Sequence, residues 1–287
     1  MWPELLVEHR LSWTLHVRFQ RIVYVNDVYT CLLSLYVLKY TGEHTDYNDG
    51  FVLPFALPFK TVVVGSFSTA AQSKVTSCSM SKKGSPPEVH SFTIDKDLCK
   101  GEPTWVNYVK GTIFQYLADL PSPLSINICI ASNVPLGSGL SSSASLEVAI
   151  ATFLEQLCSL DTPGVTKALR CQKAEHDFAD TPCGVMDQYI SAMGKRGNLL
   201  LIDCRSNDYT LIPFGNSSGS STHSKRPPVM LITNSNVKHS LADSQYPVRV
   251  KQCQEAVRVL SQKFPHIKSL RDATYVLSIT YAQNCLQ

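Results

Sequence analysis

A change of hydrophobic period around a glycine- and serine-rich loop constrains this chain most. The apolar β-type run Leu124 to Ala131 leads into Pro135-Leu136-Gly137-Ser138-Gly139-Leu140-Ser141-Ser142-Ser143. Leu146, Ala149, Ile150, Phe153, Leu154 and Leu157 then recur at helical intervals. A buried strand and a buried helix joined by a short loop must pack into a layered fold of sheet and helix. With 287 residues, 44% of them hydrophobic and 17% charged, the chain can cover such layers, and disordered, collagenous and coiled-coil classes are excluded.

Other segments fit the same architecture. Phe51-Val52-Leu53, after the Asp49-Gly50 turn signal, and Thr61-Val62-Val63-Val64 predict neighbouring strands. Residues 76–104 are polar and turn-rich. The spacing of Val106, Val109, Ile113, Tyr116 and Leu117 predicts a helix over 105–120, and a second is expected over 166–178. Leu199 to Ile202 and Val229 to Thr233 read as buried strands, with Gly215 to Pro228 a surface loop between them. Residues 1–41 are β-rich and apolar, with no turn signal before Thr41-Gly42, so a boundary is expected there.

The formal charge is +3, from 26 Lys and Arg against 23 Asp and Glu, with the basic residues scattered, so no nucleic-acid footprint stands out and small-molecule partners are favoured. Ten cysteines, none in a Cys-x-x-Cys pair, are too dilute for a disulfide framework and suit a reducing, cytoplasmic location. The apolar run Cys31 to Leu38 is far short of the ~20 residues that cross a bilayer, and Lys39-Tyr40 is a poor signal-peptide cleavage context. Neither a membrane partner nor secretion is expected.

Three clusters could carry chemistry. The Gly-Ser loop opens a helix whose first N–H groups and positive dipole end attract phosphate; a serine-rich helix start is also what an ordinary N-cap looks like. It fits neither the Walker pattern nor Gly-x-Gly-x-x-Gly. Gly42-Glu43-His44-Thr45-Asp46-Tyr47-Asn48-Asp49-Gly50 gathers carboxylates and an imidazole suited to sugar hydroxyls, or forms a solvated hairpin turn. In the third cluster, Ala174-Glu175-His176 to Pro182-Cys183-Gly184-Val185-Met186-Asp187-Gln188-Tyr189, Asp187 could act as a general base and Glu175 as a metal carboxylate. The plainer reading makes Asp187 an N-cap and Glu175 a solvated helix residue.

Together the three clusters resemble the galactokinases of the GHMP small-molecule kinase family. Trp105-Val106-Asn107-Tyr108-Val109-Lys110-Gly111, Thr233-Asn234-Ser235-Asn236-Val237 and Tyr246-Pro247-Val248-Arg249 are similar as well, so the resemblance runs from about Gly42 to Thr274. It implies an α+β fold, with a GHMP-type N-terminal domain over 42–205 and an incomplete C-terminal domain over 206–287. Gly137, Gly139, Ser141 and Ser142 would cradle the phosphates of ATP, Ser142 and Glu175 would hold Mg²⁺, and Trp105 would lie near the adenine. Glu43, His44, Asp46, Gly184 and Tyr246 would contact galactose, with Asp187 taking or orienting the proton of its C1 hydroxyl. The implied product is galactose 1-phosphate and the implied state a monomer. A noncatalytic galactose- or ATP-binding regulator, or an inactive form, is the alternative.

Two departures from that family bear on activity. Galactokinases carry an arginine beside the catalytic aspartate where this chain has Val37, and losing one such cation typically lowers the rate on the order of 10²–10³. The family's C-terminal glycine-rich loop also has no counterpart, since the sequence holds no Gly-Gly dipeptide, and Tyr275 to Gln287 look unrelated.

Overall fold

A computed structural model of the chain describes residues 28–29, 44–80, 85–214 and 246–273. The β-rich reading of residues 1–41 (apart from 28–29), Val37, Glu43, the loop 215–228, the strand expected over 229–233, the segment 233–237 and the tail 275–287 lie outside the described residues. The strands are β1 (Val28–Tyr29), β2 (Phe51–Val52), β3 (Lys60–Phe67), β4 (Ser73–Ser77), β5 (Val89–Phe92), β6 (Ile126–Ser132), β7 (Asn198–Asp203) and β8 (Asp208–Pro213). The helices are α1 (Trp105–Tyr116), α2 (Ser142–Cys158), α3 (Gly164–Ala179), α4 (Met186–Met193) and α5 (Tyr246–Lys263).

The strand-loop-helix unit that dominates the sequence forms as expected: β6, the loop, then α2. β6 lies at the centre of a five-stranded sheet ordered β1-β3-β6-β4-β5, antiparallel to β3 and parallel to β4. Its neighbour β3 pairs at the edge with β1, Val28 opposite Thr61. Val63, Val75, Ile126, Ile128 and Ile130 pack with Val109 and Ile113 of α1, Phe153 and Leu154 of α2, and Phe178 of α3 in one core. Fully burying one such side chain is worth about 1.5–3 kcal/mol, so the α2 stripe anchors the helix and fixes where its N-terminus points.

A second, smaller sheet ordered β2-β7-β8 covers a separate core of Val52, Val185, Met186, Tyr189, Ile190, Leu200 and Ile202. Here the sequence expectation is corrected: β2 and β3 are not neighbours but belong to different sheets. Pro54 and Pro58 stand between them, neither can donate to a ladder, and the Pro54 carbonyl accepts from Leu200 N–H, steering the chain along β7. The polar stretch 76–104 also contains a strand, β5, which pairs with β4 at the sheet edge while leaving Val89 45% exposed. α1 ends at Tyr116 rather than 120, closed by a Leu117 N–H to Phe114 carbonyl bond.

Candidate active site

The two sheets and their helices bring the three sequence clusters to one place. The Gly-Ser loop leaves the central strand β6 and enters α2 with Gly137, Gly139 and Ser141 all at positive φ. Ser141 stands at the N-cap position in the left-handed region and makes no side-chain capping bond; its buried Oγ has no hydrogen-bond partner among the described residues. The plain capping role is therefore not the one this serine fills. Gly139, at φ +73°, has no atom of the described residues within 4 Å of where a Cβ would stand. Beside it, Trp105 at the start of α1, Tyr108, Leu136, Met80, Ser142 and Ser143 line a cleft. These features fit a nucleotide: unsatisfied donors at a helix N-terminus for phosphates and an aromatic wall for a base.

On the other side, residues 46–48 form a 3₁₀ turn rather than a solvated hairpin, and Asp46 is buried. Burial raises its carboxyl pKa above the usual range, against the pull of the Tyr47 and Met186 backbone N–H groups. The Asp46 carboxylate lies against Gly184, where a Cβ would come within 1.7 Å of Oδ2, so only glycine fits there. Gly184 N–H donates to the Tyr246 hydroxyl at 3.1 Å. The Tyr246 ring stacks on His44 with centroids 5.0 Å apart, and Tyr47 Oη lies 2.8 Å from His44 Nδ1. From behind, Gln172 and His176 of α3 bond the Cys183 carbonyl and hold the Gly184 loop in place.

The two sides meet at residues 183–188. Asp187 occupies the first turn of α4 after the Val185 N-cap, so it is not the cap itself. Burial raises the pKa values of Glu147, Cys183 and Tyr246, and the Asp187 charge adds to each. Glu175 is buried rather than solvated, hydrogen-bonded by Ser143, the Cys183 thiol and Gln188. It is Ser143, next to Ser142, whose hydroxyl reaches it. Gln188 Nε2 is shared between Glu175 at 2.8 Å and Glu147 at 3.1 Å. Burial pushes both carboxyls upward, and at Glu147 the Glu175 charge adds to the desolvation.

Sequence reasoning missed Glu147 and Gln188, both fully buried, and the tyrosines Tyr47 and Tyr108. Glu147 left a signal: three residues before Ile150 and seven before Leu154, it stands on the apolar stripe of α2, where a carboxylate needs a partner. Among the described residues no cluster of three or more His, Cys, Asp or Glu suits a metal, so the acidic pair fits a cation only with hydroxyls and a ligand's oxygens completing the set. No described helix is long and apolar enough to cross a membrane.

Comparison with known proteins agrees with this geometry. The GHMP kinases N terminal domain matches residues 107–195, and the galactokinase galactose-binding signature matches residues 41–67. Over residues 107–195 the chain is thus similar to the N-terminal domain of the GHMP kinase family. Within that family its similarity is to the galactokinases: the Homo sapiens enzyme is 48% identical over 225 residues, 77% of this chain and 54% of that protein. A galactokinase of Haemophilus influenzae is 39% identical over 81% of this chain and 56% of its own length. The crystal structure of Lactococcus lactis galactokinase complexed with galactose superposes with a TM-score of 0.75 at 26% identity, covering 94% of this chain and 65% of that one. The chain thus spans about half the length of the curated relatives it matches.

Proposed function

We propose that the chain is a galactokinase, transferring the γ-phosphoryl group of ATP to the C1 hydroxyl of galactose to give galactose 1-phosphate. One observation carries the reading: Gly184, packed against Asp46 and bonded to Tyr246, stands three residues before Asp187, and Gln188, bonded to Glu175 and Glu147, directly follows it. A sugar held on one side and a nucleotide on the other would meet at that carboxylate.

On the sugar side, His44, Asp46, the Gly184 backbone and Tyr246, with Glu43 preceding them, would hold the galactose hydroxyls. The buried Asp46 carboxylate gains most from such bonds, because hydroxyl donors replace the water it has lost. Asp187 would accept or orient the C1 hydroxyl proton, sharpening the nucleophile by position rather than through a covalent intermediate. On the nucleotide side, the N–H groups of the Gly137–Ser142 segment and the start of α2 would face the phosphates, with Trp105 near the adenine. ATP would supply the phosphoryl group and Mg²⁺, held by Ser142 and Glu175, the charge that balances it. The eight free thiols among the described residues support a reducing location, and we place the protein in the cytoplasm as a monomer.

Galactose-dependent ADP release by the purified chain, with ATP and Mg²⁺, tests the proposal against Asp187→Asn. Wild-type release should exceed that of the variant by about 10²–10⁴-fold, while the variant keeps its galactose affinity. Equal release from both removes Asp187 from the chemistry.

A further inference from the structure

Residues 246–273 follow a gap in the described chain, yet their two ends reach the same 3₁₀ turn. At one end Tyr246 stacks on His44 and, edge-on, on Tyr47 at 5.6 Å. At the other, Arg271 Nη1 donates to the Asp49 carbonyl at 2.8 Å, and its guanidinium grips Asp203 through both Nη atoms. The same guanidinium lies 4.3 Å over the Phe51 ring. Arg205 completes the ring of charge, donating to Ser269 Oγ at 2.9 Å and Asp272 Oδ1 at 2.7 Å, with Asp49 Oδ2 3.6 Å away. Asp272 is itself fixed by Lys268 and Ser269 N–H groups in a capping box.

This network does more than decorate a surface. α5 buries only Val250 along its length, and Ile267 is the next fully buried apolar residue, so hydrophobic contact does little to seat the segment. A bidentate Arg–carboxylate pair stacked on an aromatic ring has the fixed geometry that a scattered ion pair lacks. It sits where β2 and β7 pair, Phe51 opposite Asp203, directly after the turn that carries His44 and Asp46.

We infer that Arg271, backed by Arg205, is a latch that sets the His44–Asp49 turn and Tyr246 against each other, making both arginines positioning residues for the sugar half of the site. The inference rests on the galactose-binding reading for its consequence, but the latch itself is a property of the unliganded chain. With the latch released, the turn keeps its local bonds, Gly50 N–H to Thr45 carbonyl and Thr45 Oγ1 to Phe51 carbonyl, while losing its tie to the Tyr246 segment.

Hydrogen–deuterium exchange on the unliganded full chain separates the two claims. Arg271→Ala should speed exchange about tenfold in residues 44–52 and 246–273 and leave 142–158 unchanged, with Arg271→Lys intermediate. Arg258→Ala, which removes only an exposed pair with Glu255, should change nothing in the turn. Unchanged exchange in 44–52 for Arg271→Ala, or equal acceleration everywhere, overturns the latch. Calorimetric titration with galactose and with ATP follows: Arg271→Ala should weaken galactose about tenfold and ATP less than twofold. Equal weakening of both ligands overturns the selective positioning role. If the wild-type chain binds no galactose, the sugar-site reading fails while the exchange result still decides the latch.

Discussion

The proposed nucleotide side and the proposed sugar side of this site are built in different ways. The first is local and made of backbone: within ten residues the chain leaves β6, passes Gly137 and Gly139 at positive φ and enters α2, anchored by the larger core. The second is assembled from side chains far apart in sequence, with Asp46 against Gly184, Tyr246 on Gly184, and Arg271 on Asp49. The local half should bend under substitution, because its donors are main-chain groups. The assembled half should break, because each contact needs one particular atom.

Gly184→Ala is the sharpest test of that contrast. The new methyl would stand 1.7 Å from Asp46 Oδ2, so either the loop or the turn must move. Galactose binding should be lost and stability should fall by about 3 kcal/mol or more, seen in calorimetry and thermal unfolding. Near-normal galactose affinity would show that the two elements are not interlocked. Gly139→Ala probes the local half: no atom of the described residues stands within 4 Å of the new methyl, leaving the left-handed backbone strain at φ +73°. A loss of about 1–2 kcal/mol in stability with ATP binding retained is expected from denaturant titration and calorimetry. If Gly139→Ala were the more damaging of the two, the contrast would be reversed.

These halves were also unequally legible in sequence. The strand, loop and buried helix could be read because apolar spacing reports burial directly, and α2 forms where its stripe predicts. β5, β8 and α5 carried no such signal: edge strands pair through the backbone, and α5 buries a single residue, so polarity there does not mean loop. The eight-residue α4, too short to show a period, was missed although it carries Asp187. Family resemblance supplied His44, Asp46, Gly184 and Tyr246 as a set, whereas the Asp46–Gly184 interlock, the Glu147–Gln188–Glu175 chain and the two arginines emerge only from long-range packing.

Smaller effects refine the sugar half. Tyr246→Phe removes the oxygen that accepts from Gly184 N–H and keeps the ring on His44, so galactose affinity should fall by about 1 kcal/mol, a factor near five, in the same titration. No change would leave the phenol without a part in binding. The smallest effect concerns acid. Lys268 and Ser269 N–H groups, then Arg205, hold the Asp272 pKa at about 2, below its ordinary 3.8. A depressed carboxyl stabilises the fold above its unfolded value, so this contribution is whole above pH 3.8 and fades as pH falls through about 2. Proteolysis by an acid protease should therefore release residues 246–273 more readily toward pH 2, and Asp272→Asn should flatten that trend; an unchanged trend would assign the acid response elsewhere.

The central claim is that both halves converge on Asp187. Phosphorus NMR of the chain incubated with galactose, ATP and Mg²⁺ tests it most directly, because it reads both the transfer and the hydroxyl that receives it. The predicted result is a phosphomonoester signal split by the anomeric proton, identifying phosphate on C1, and its loss in Asp187→Asn. A sugar phosphate formed at another hydroxyl, or one formed equally well by the variant, would contradict the account.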